Sequence, residues 1–430
     1  MGYSLGIDFG TSGARAIAID AQNQPISEAR QGYGKQPLTH PGTWRETLMA
    51  LLASLPLPVR AETKAIAVNG TSATVLLCDS QGSPVREALL YDDSCGKVFI
   101  EKIRRIAPEG NPALSVTSAL AKLLWWCDGD WDARPADGVY FMHQADWLGW
   151  LLHGQLGISD YHNALKLGYD VGALRYPAWL ADLSIAGLLP QVVAPGDVIA
   201  PIMPTISQQF QFPSNCQVCA GTTDSIAAFL ASGAQTPGDG VTSLGSTLVI
   251  KLLSETRVDD SRYGIYSHRL GDLWLVGGAS NSGGAVLHHF FSDYELAELS
   301  AQISCDQPSA LDYYPLLKPG ERFPINDPLL PPRLSPRPDD AVQFLHGLLE
   351  GISRIEALGY HRLIERGATV LQRVCTAGGG SHSVPWQTIR QRILGVPVTV
   401  AQYPEAAYGT ALLARGHTIP EPPAGINLSS

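Results

Sequence analysis

Apolar residues alternate or run together in two short arms, residues 4–8 and 14–20, around the turn Gly10-Thr11-Ser12-Gly13. Arms of this kind on either side of a glycine-rich turn predict a β-hairpin. Residues 65–68 and 75–78 predict further strands, the second closed by the turn residues Asp79-Ser80-Gln81-Gly82. From there to about residue 155 helical patterning dominates. Residues 217–220 form an apolar run expected to be a buried strand, and Gly221-Thr222-Thr223-Asp224 then leads into a helix over 225–232. Residues 241–250 repeat the opening design, with Gly245-Ser246-Thr247 between apolar arms as Gly10-Thr11-Ser12 stand in the first hairpin. The repetition predicts a duplicated unit. Residues 311–340 contain eight prolines and read as an extended loop, after which Val342, Leu345, Leu349 and Ile352 mark the buried stripe of a helix. Strands alternating with helices place the fold in the α/β class.

At 430 residues the chain is long enough for two or three domains, and 45% apolar against 16% charged residues is a globular composition. The net charge of −10, with no run of Lys or Arg, argues against a nucleic-acid or anionic-membrane partner, because both demand clustered positive charge. No apolar stretch is long enough to span a bilayer, and no basic-then-apolar leader opens the sequence, so the expected location is the cytosol. Gly6 stands where a myristoylation signal needs Ser or Thr. Of the seven cysteines, Cys216 and Cys219 form a lone CxxC without a second ligand pair, which reads as structural.

Chemistry concentrates in three places. In Asp8-Phe9-Gly10-Thr11-Ser12-Gly13-Ala14-Arg15 the glycines allow backbone to approach a phosphate, and Asp8 at a strand end is placed to hold Mg²⁺ or its waters. The Gly-Lys-Ser/Thr ending of a P-loop is missing, and a strand rather than a helix follows, which excludes a dinucleotide fingerprint. At the junction Gly221–Ser225, Asp224 is either a helix cap or the acceptor of a proton from a substrate hydroxyl. Thr376-Ala377-Gly378-Gly379-Gly380-Ser381-His382-Ser383 follows a strand and precedes Trp386; three glycines let a flat ring lie on backbone, and the indole is placed to cover an adenine, while His382 reads as a surface residue.

The order of these motifs resembles the FGGY carbohydrate kinases over essentially the whole chain, including Ala145-Asp146-Trp147-Leu148, Ser159 to Ala164 and the late helix Glu405 to Ala411. That resemblance implies two ribonuclease-H-like domains of the actin and sugar kinase superfamily, with nucleotide bound between them. The expected boundaries are a sugar-binding domain over 1–230, completed by 405–430, and a nucleotide-binding domain over 231–404. It further implies ATP as phosphoryl donor, Mg²⁺ at Asp8, and Asp224 as catalytic base, with Asp8 and Thr11 beside it in the reaction. Thr11, Ser12, Gly13 and Arg15, and Gly245, Ser246 and Thr247, would flank the phosphates. Gly378, Gly379, Gly380, Ser383 and Trp386 would form the adenosine pocket, and Trp44, Ser72, Asp93 and Lys166, with Asp224, the sugar side. Where many members carry Trp-Asn-Asp-x-Arg, this chain has Tyr91-Asp92-Asp93-Ser94-Cys95, without the arginine. The chain is most similar to the short ribulokinase-type or xylulokinase-type branch, which makes D-ribulose the expected substrate ahead of D-xylulose. A nucleotide hydrolase and a nucleotide-binding regulator without sugar turnover are the competing readings.

Overall fold

The computed structural model describes residues 2–128 and 138–416; residues 129–137, inside the stretch read as helical, and 417–430, assigned above to the N-terminal domain, lie outside the described residues. The chain divides into two compact units, Met1–Ala231 with Glu405–Ser430, and Ser232–Pro404.

In the first unit β1 (Tyr3–Phe9) and β2 (Gly13–Ile19) form the antiparallel hairpin that the alternation predicts, extended by β3 (Pro25–Gly32). β4 (Thr63–Gly70) pairs parallel with β1 on the other side. β5 (Val75–Cys78), a strand as expected, pairs with β6 (Tyr140–His143), a strand that the dominantly helical patterning of this region did not predict. A four-residue apolar run carries no usable period of its own, so its partner strand decides its state. β7 (Ile158–Asp160) pairs parallel with β8 (Gln191–Val193). β9 (Val198–Pro201), β10 (Gln217–Cys219) and β11 (Thr222–Thr223) complete the main sheet, in the order β3-β2-β1-β4-β10-β9 with β11 also on β4. Leu5, Ile7 and Phe9 project from β1 into a core shared with Trp44, Leu48 and Trp147. The helix Ala406–Ala414 packs so closely on this sheet that a Cβ at Gly6 would lie 2.1 Å from the Ala407 carbonyl oxygen; one at Gly409 would lie 1.9 Å from that of Ala227. Glycine is therefore required at both positions by contact distance.

The second unit carries β12 (Asp239–Leu244), β13 (Leu248–Ser254), β14 (Tyr266–Leu270), β15 (Leu273–Ala279), β16 (Arg373–Ala377) and β17 (Val398–Val400), in the order β14-β15-β13-β12-β16-β17. Its connectivity repeats that of the first. β12, like β1, has an antiparallel hairpin partner on one side and a parallel strand on the other, followed by one more parallel strand. The helix Ala341–Glu365 buries Leu345, Leu349 and Ile352 as the spacing predicts. Glu356 on that helix accepts two hydrogen bonds from the buried Arg390 guanidinium, which also donates to Thr376 on β16. Residues 311–340 contain no strand, only isolated bridges such as Tyr314 to Arg333. Among the described residues no helix is long and apolar enough to cross a membrane.

Candidate functional site

Strand register assembles the acidic end of the first unit. Asp8 is paired with Asn69 and Asn69 with Thr222, so β1, β4 and β11 present three polar residues in one row at the carboxyl ends of parallel strands. Crevices outside such strand ends are where open α/β sheets bind ligands. Two residues beyond Thr222, Asp224 opens the helix Asp224–Ala231, half-exposed, with its Oδ1 accepting the Ser225 N–H at 2.7 Å. Burial, reinforced by the Asp224 charge, pushes the Asp8 carboxyl from 3.8 up to about 6, against the opposing pull of Arg15 and a hydrogen bond from Asn69. Asn69 also donates to Thr410 Oγ1 at 2.6 Å. Lys166 interacts with Asp224: burial lowers its ammonium pKa and the Asp224 charge opposes that shift.

The remaining residues expected on the sugar side divide. Ser72 is half-buried in the turn between β4 and β5. Asp93 caps its own turn, Oδ1 accepting the Cys95 N–H at 2.8 Å. Trp44 corrects the expectation: it is 0% exposed and stands edge-on to Trp147 at 6.1 Å, so it is core and offers no surface to a ligand. Sequence reasoning missed Lys122, which is fully buried and donates to the Ala73 carbonyl at 2.8 Å and to that of Leu90. It thereby ties together the two turns carrying Ser72 and Asp93, and a lone lysine inside Ala-Leu-Ala-Lys-Leu-Leu-Trp-Trp was the available signal.

The first hairpin turn is closed by Gly10 N–H to the Gly13 carbonyl at 3.1 Å, and Tyr33 Oη donates to the Gly10 carbonyl at 2.7 Å. Thr11 and Ser12 stand exposed at its tip. Arg15 is engaged locally, with Nη1 2.9 Å from Glu405 and Nε 3.4 Å from Glu28. In the second unit the Gly245 and Ser246 carbonyls accept the N–H groups of Gly284 and Ala285, at 2.9 and 3.1 Å.

Beside that second turn lies a cavity of about 710 Å³, walled by Gly245, Ser246, Gly379, Gly380, Ser383 and Trp386 together with apolar residues of the segment 284–301. No motif in the sequence points to that last segment; Thr247 and Gly378 stand outside the wall. Gly378 holds the turn with φ of +85°, where a Cβ would lie 2.7 Å from the Leu244 carbonyl oxygen. Ser383 Oγ accepts the Trp386 N–H and caps the following helix Val384–Leu394. Trp386 is only 3% exposed, and its indole N–H donates to Ser353 Oγ at 3.1 Å. Its ring is thus a supporting wall under Gly380 rather than a free cover. Exposed His382 sits on the rim, as does the pair His288 and Asp293 at 3.5 Å.

All seven cysteines are free, and burial pushes the Cys216 and Cys219 thiols up to about 12 and about 11, consistent with inert packing. Among the described residues no three His, Cys, Asp or Glu side chains cluster as a self-sufficient metal cage. Mg²⁺ in phosphoryl-transfer sites needs no such cage: one or two carboxylates plus substrate phosphates suffice. The Asp8 carboxylate, uncomfortable beside Asp224, fits that requirement. Because Asp8 is raised on folding, its charge opposes folding more and more as pH rises from 3.8 through about 6. Asp8→Asn should therefore raise the melting temperature of the ligand-free protein at pH 8 and leave it unchanged at pH 3. An equal shift at both values would overturn the burial argument.

Comparison with known proteins places these observations. The model of the N-terminal domain of the FGGY family of carbohydrate kinases matches residues 3–231, and that of the C-terminal domain matches residues 240–415. Relatives include the xylulose kinases of Streptomyces rubiginosus, 26% identical over 98% of this chain and 89% of that one, and of Bacillus subtilis (strain 168), 23% identical over 96% and 88%. Among solved structures, the xylulose kinase from Rhodospirillum rubrum superposes with a TM-score of 0.81 at 22% identity, covering 96% of this chain and 89% of that one. Plasmodium falciparum glycerol kinase with ADP gives 0.79 at 15% identity, covering 96% and 89%. With both family domains matched across nearly the full sequence, and a two-unit α/β fold shared with solved sugar kinases, this chain belongs to the FGGY family of carbohydrate kinases.

Proposed function

We propose that this sugar kinase transfers a phosphoryl group from ATP to the terminal hydroxyl of a five-carbon ketose. The carrying observation is the half-exposed Asp224 carboxylate at the strand-to-helix junction, with Lys166 and Asp8 beside it. Asp224 accepts the hydroxyl proton; a weak base suffices, because the loose transition state of phosphoryl transfer depends mainly on alignment of the nucleophile. The Asp224 charge supports the Lys166 ammonium against its burial. Ser72 and Asp93 complete the sugar side of the first unit, in place of the expected contact from Trp44. Asp8 is the protein ligand for Mg²⁺, which when bound neutralises phosphate charge. Thr11, Ser12 and Gly13 in the first unit, and Gly245, Ser246 and Thr247 in the second, are the phosphate-binding turns, with Arg15 adding positive charge beside the first. Gly378, Gly379, Gly380, Ser383 and Trp386 build the adenosine site around the cavity of the second unit. We place the enzyme in the cytosol, in keeping with its free thiols.

The relatives' names favour D-xylulose over the D-ribulose expected from the sequence. A screen of ketoses and polyols with ATP and Mg²⁺, reading sugar-dependent ADP release, tests this directly. The highest kcat/KM is expected with D-xylulose. Preference for D-ribulose would reverse the order within the class, whereas turnover confined to polyols or aldoses would overturn the pentulose reading.

A further inference from the structure

The motif Ser159 to Ala164 has no place in the reaction as described, yet its side chains form a buried lattice against the strand that leads to Asp224. Asp160 caps the short helix Tyr161–Ala164, Oδ1 accepting the N–H groups of His162 and Asn163 at 2.8 and 3.1 Å. Its Oδ2 accepts the Asn163 side-chain amide at 2.6 Å. The His162 ring is thereby fixed at its backbone and is held edge-on by Tyr161, with ring centroids 4.8 Å apart. From this support His162 Nδ1 hydrogen-bonds Thr222 Oγ1 at 2.7 Å, and both residues are almost wholly buried. Thr222 lies two residues before Asp224, and Lys166 lies four residues after His162, in the 3₁₀ turn Leu165–Leu167 that directly continues the helix.

We propose that His162 is a positioning residue: its hydrogen bond to Thr222 is the strut that fixes the Lys166 ammonium relative to the Asp224 carboxylate. The main-chain pairing of β11 is only two residues long, Thr222 with Asn69 and Thr223 with Gly70. So short a strand is weakly held by its ladder, and a side-chain bond from a separate element adds the constraint that the ladder lacks. Without the strut β11 and its neighbouring turn keep their places in the core, but Lys166 and Asp224 acquire freedom relative to each other. Misplacement of a reacting group by about 1 Å costs roughly 10²-fold in rate. The inference rests on the kinase reading above, with Asp224 as base.

The experiment compares Thr222→Val, which removes the hydroxyl at nearly constant volume, with Thr222→Ser, which keeps it, and with His162→Ala alone and combined with Thr222→Val. Thr222→Val should lower sugar-dependent kcat by about tenfold or more, with KM for ATP and melting temperature close to those of the parent protein. Thr222→Ser should recover most of that loss. The double variant should lose no more than the worse single variant, because both remove one bond. Equal loss in the Ser and Val variants, full activity in Thr222→Val, or strictly multiplicative losses would each overturn the strut. Should His162→Ala fail to fold, the Val and Ser pair decides alone. Asp224→Asn is assayed alongside: if it keeps its turnover the base assignment fails, whereas its loss beside a fully active Thr222→Val overturns the strut only.

Discussion

Asp224→Asn should lower sugar-dependent turnover by about 10²- to 10⁴-fold, the range that a positioned proton acceptor contributes. The substitution is nearly isosteric, and the side-chain oxygen can still accept the Ser225 N–H that Asp224 accepts at 2.7 Å. The start of the helix Asp224–Ala231 is therefore preserved while the basic oxygen is lost. The nucleotide site proposed in the second unit shares no residue with this junction, so ATP affinity should stay within about twofold of the parent, and the loss should fall in kcat. Isothermal titration with ATP and a coupled ADP assay make the separation. A variant that keeps more than a tenth of its turnover would remove Asp224 as the base.

Trp386→Ala should destabilise the second unit by about 3–5 kcal/mol, the usual cost of truncating a buried tryptophan. The residue is only 3% exposed, its ring carbon Cζ3 lies 2.8 Å from where a Cβ on Gly380 would stand, and its indole N–H is bonded to Ser353. Removal leaves a void beneath the Gly378–Gly380 turn, so ATP binding should weaken as a consequence of a displaced wall. Trp386→Phe, which retains most of the packing, should recover most of the stability. Urea unfolding and ATP titration on both variants test this. Normal stability with weakened ATP binding in Trp386→Ala would instead show the indole acting solely as a stacking surface for the base.

Near neighbours along the chain dictate the hairpins, the turns and the long helix. Alternating apolar arms around glycine and hydroxyl residues specify a hairpin, which is why both glycine-hydroxyl turns and the duplication are legible in the sequence. The same holds for the helix Ala341–Glu365, whose buried stripe is a matter of period alone. Asp8, Asp224 and the triple glycine could be picked out because each stands at an element boundary where its residue type is informative. Which candidates end in the core and which stay exposed is set by packing between segments distant along the chain. Trp44 has the composition of a sugar platform but meets Trp147 in the interior, and no local pattern distinguishes the two fates. Arg15 is partnered by Glu28 and Glu405, the second near the opposite end of the chain. Lys122 and His162 gain their roles from carbonyl and hydroxyl groups on separate elements, and β6 exists because β5 is there to pair with it. Burial and hydrogen-bond partnership arise between residues distant in sequence, so they become defined only once the chain has folded, whereas turn chemistry and periodicity act between residues a few positions apart.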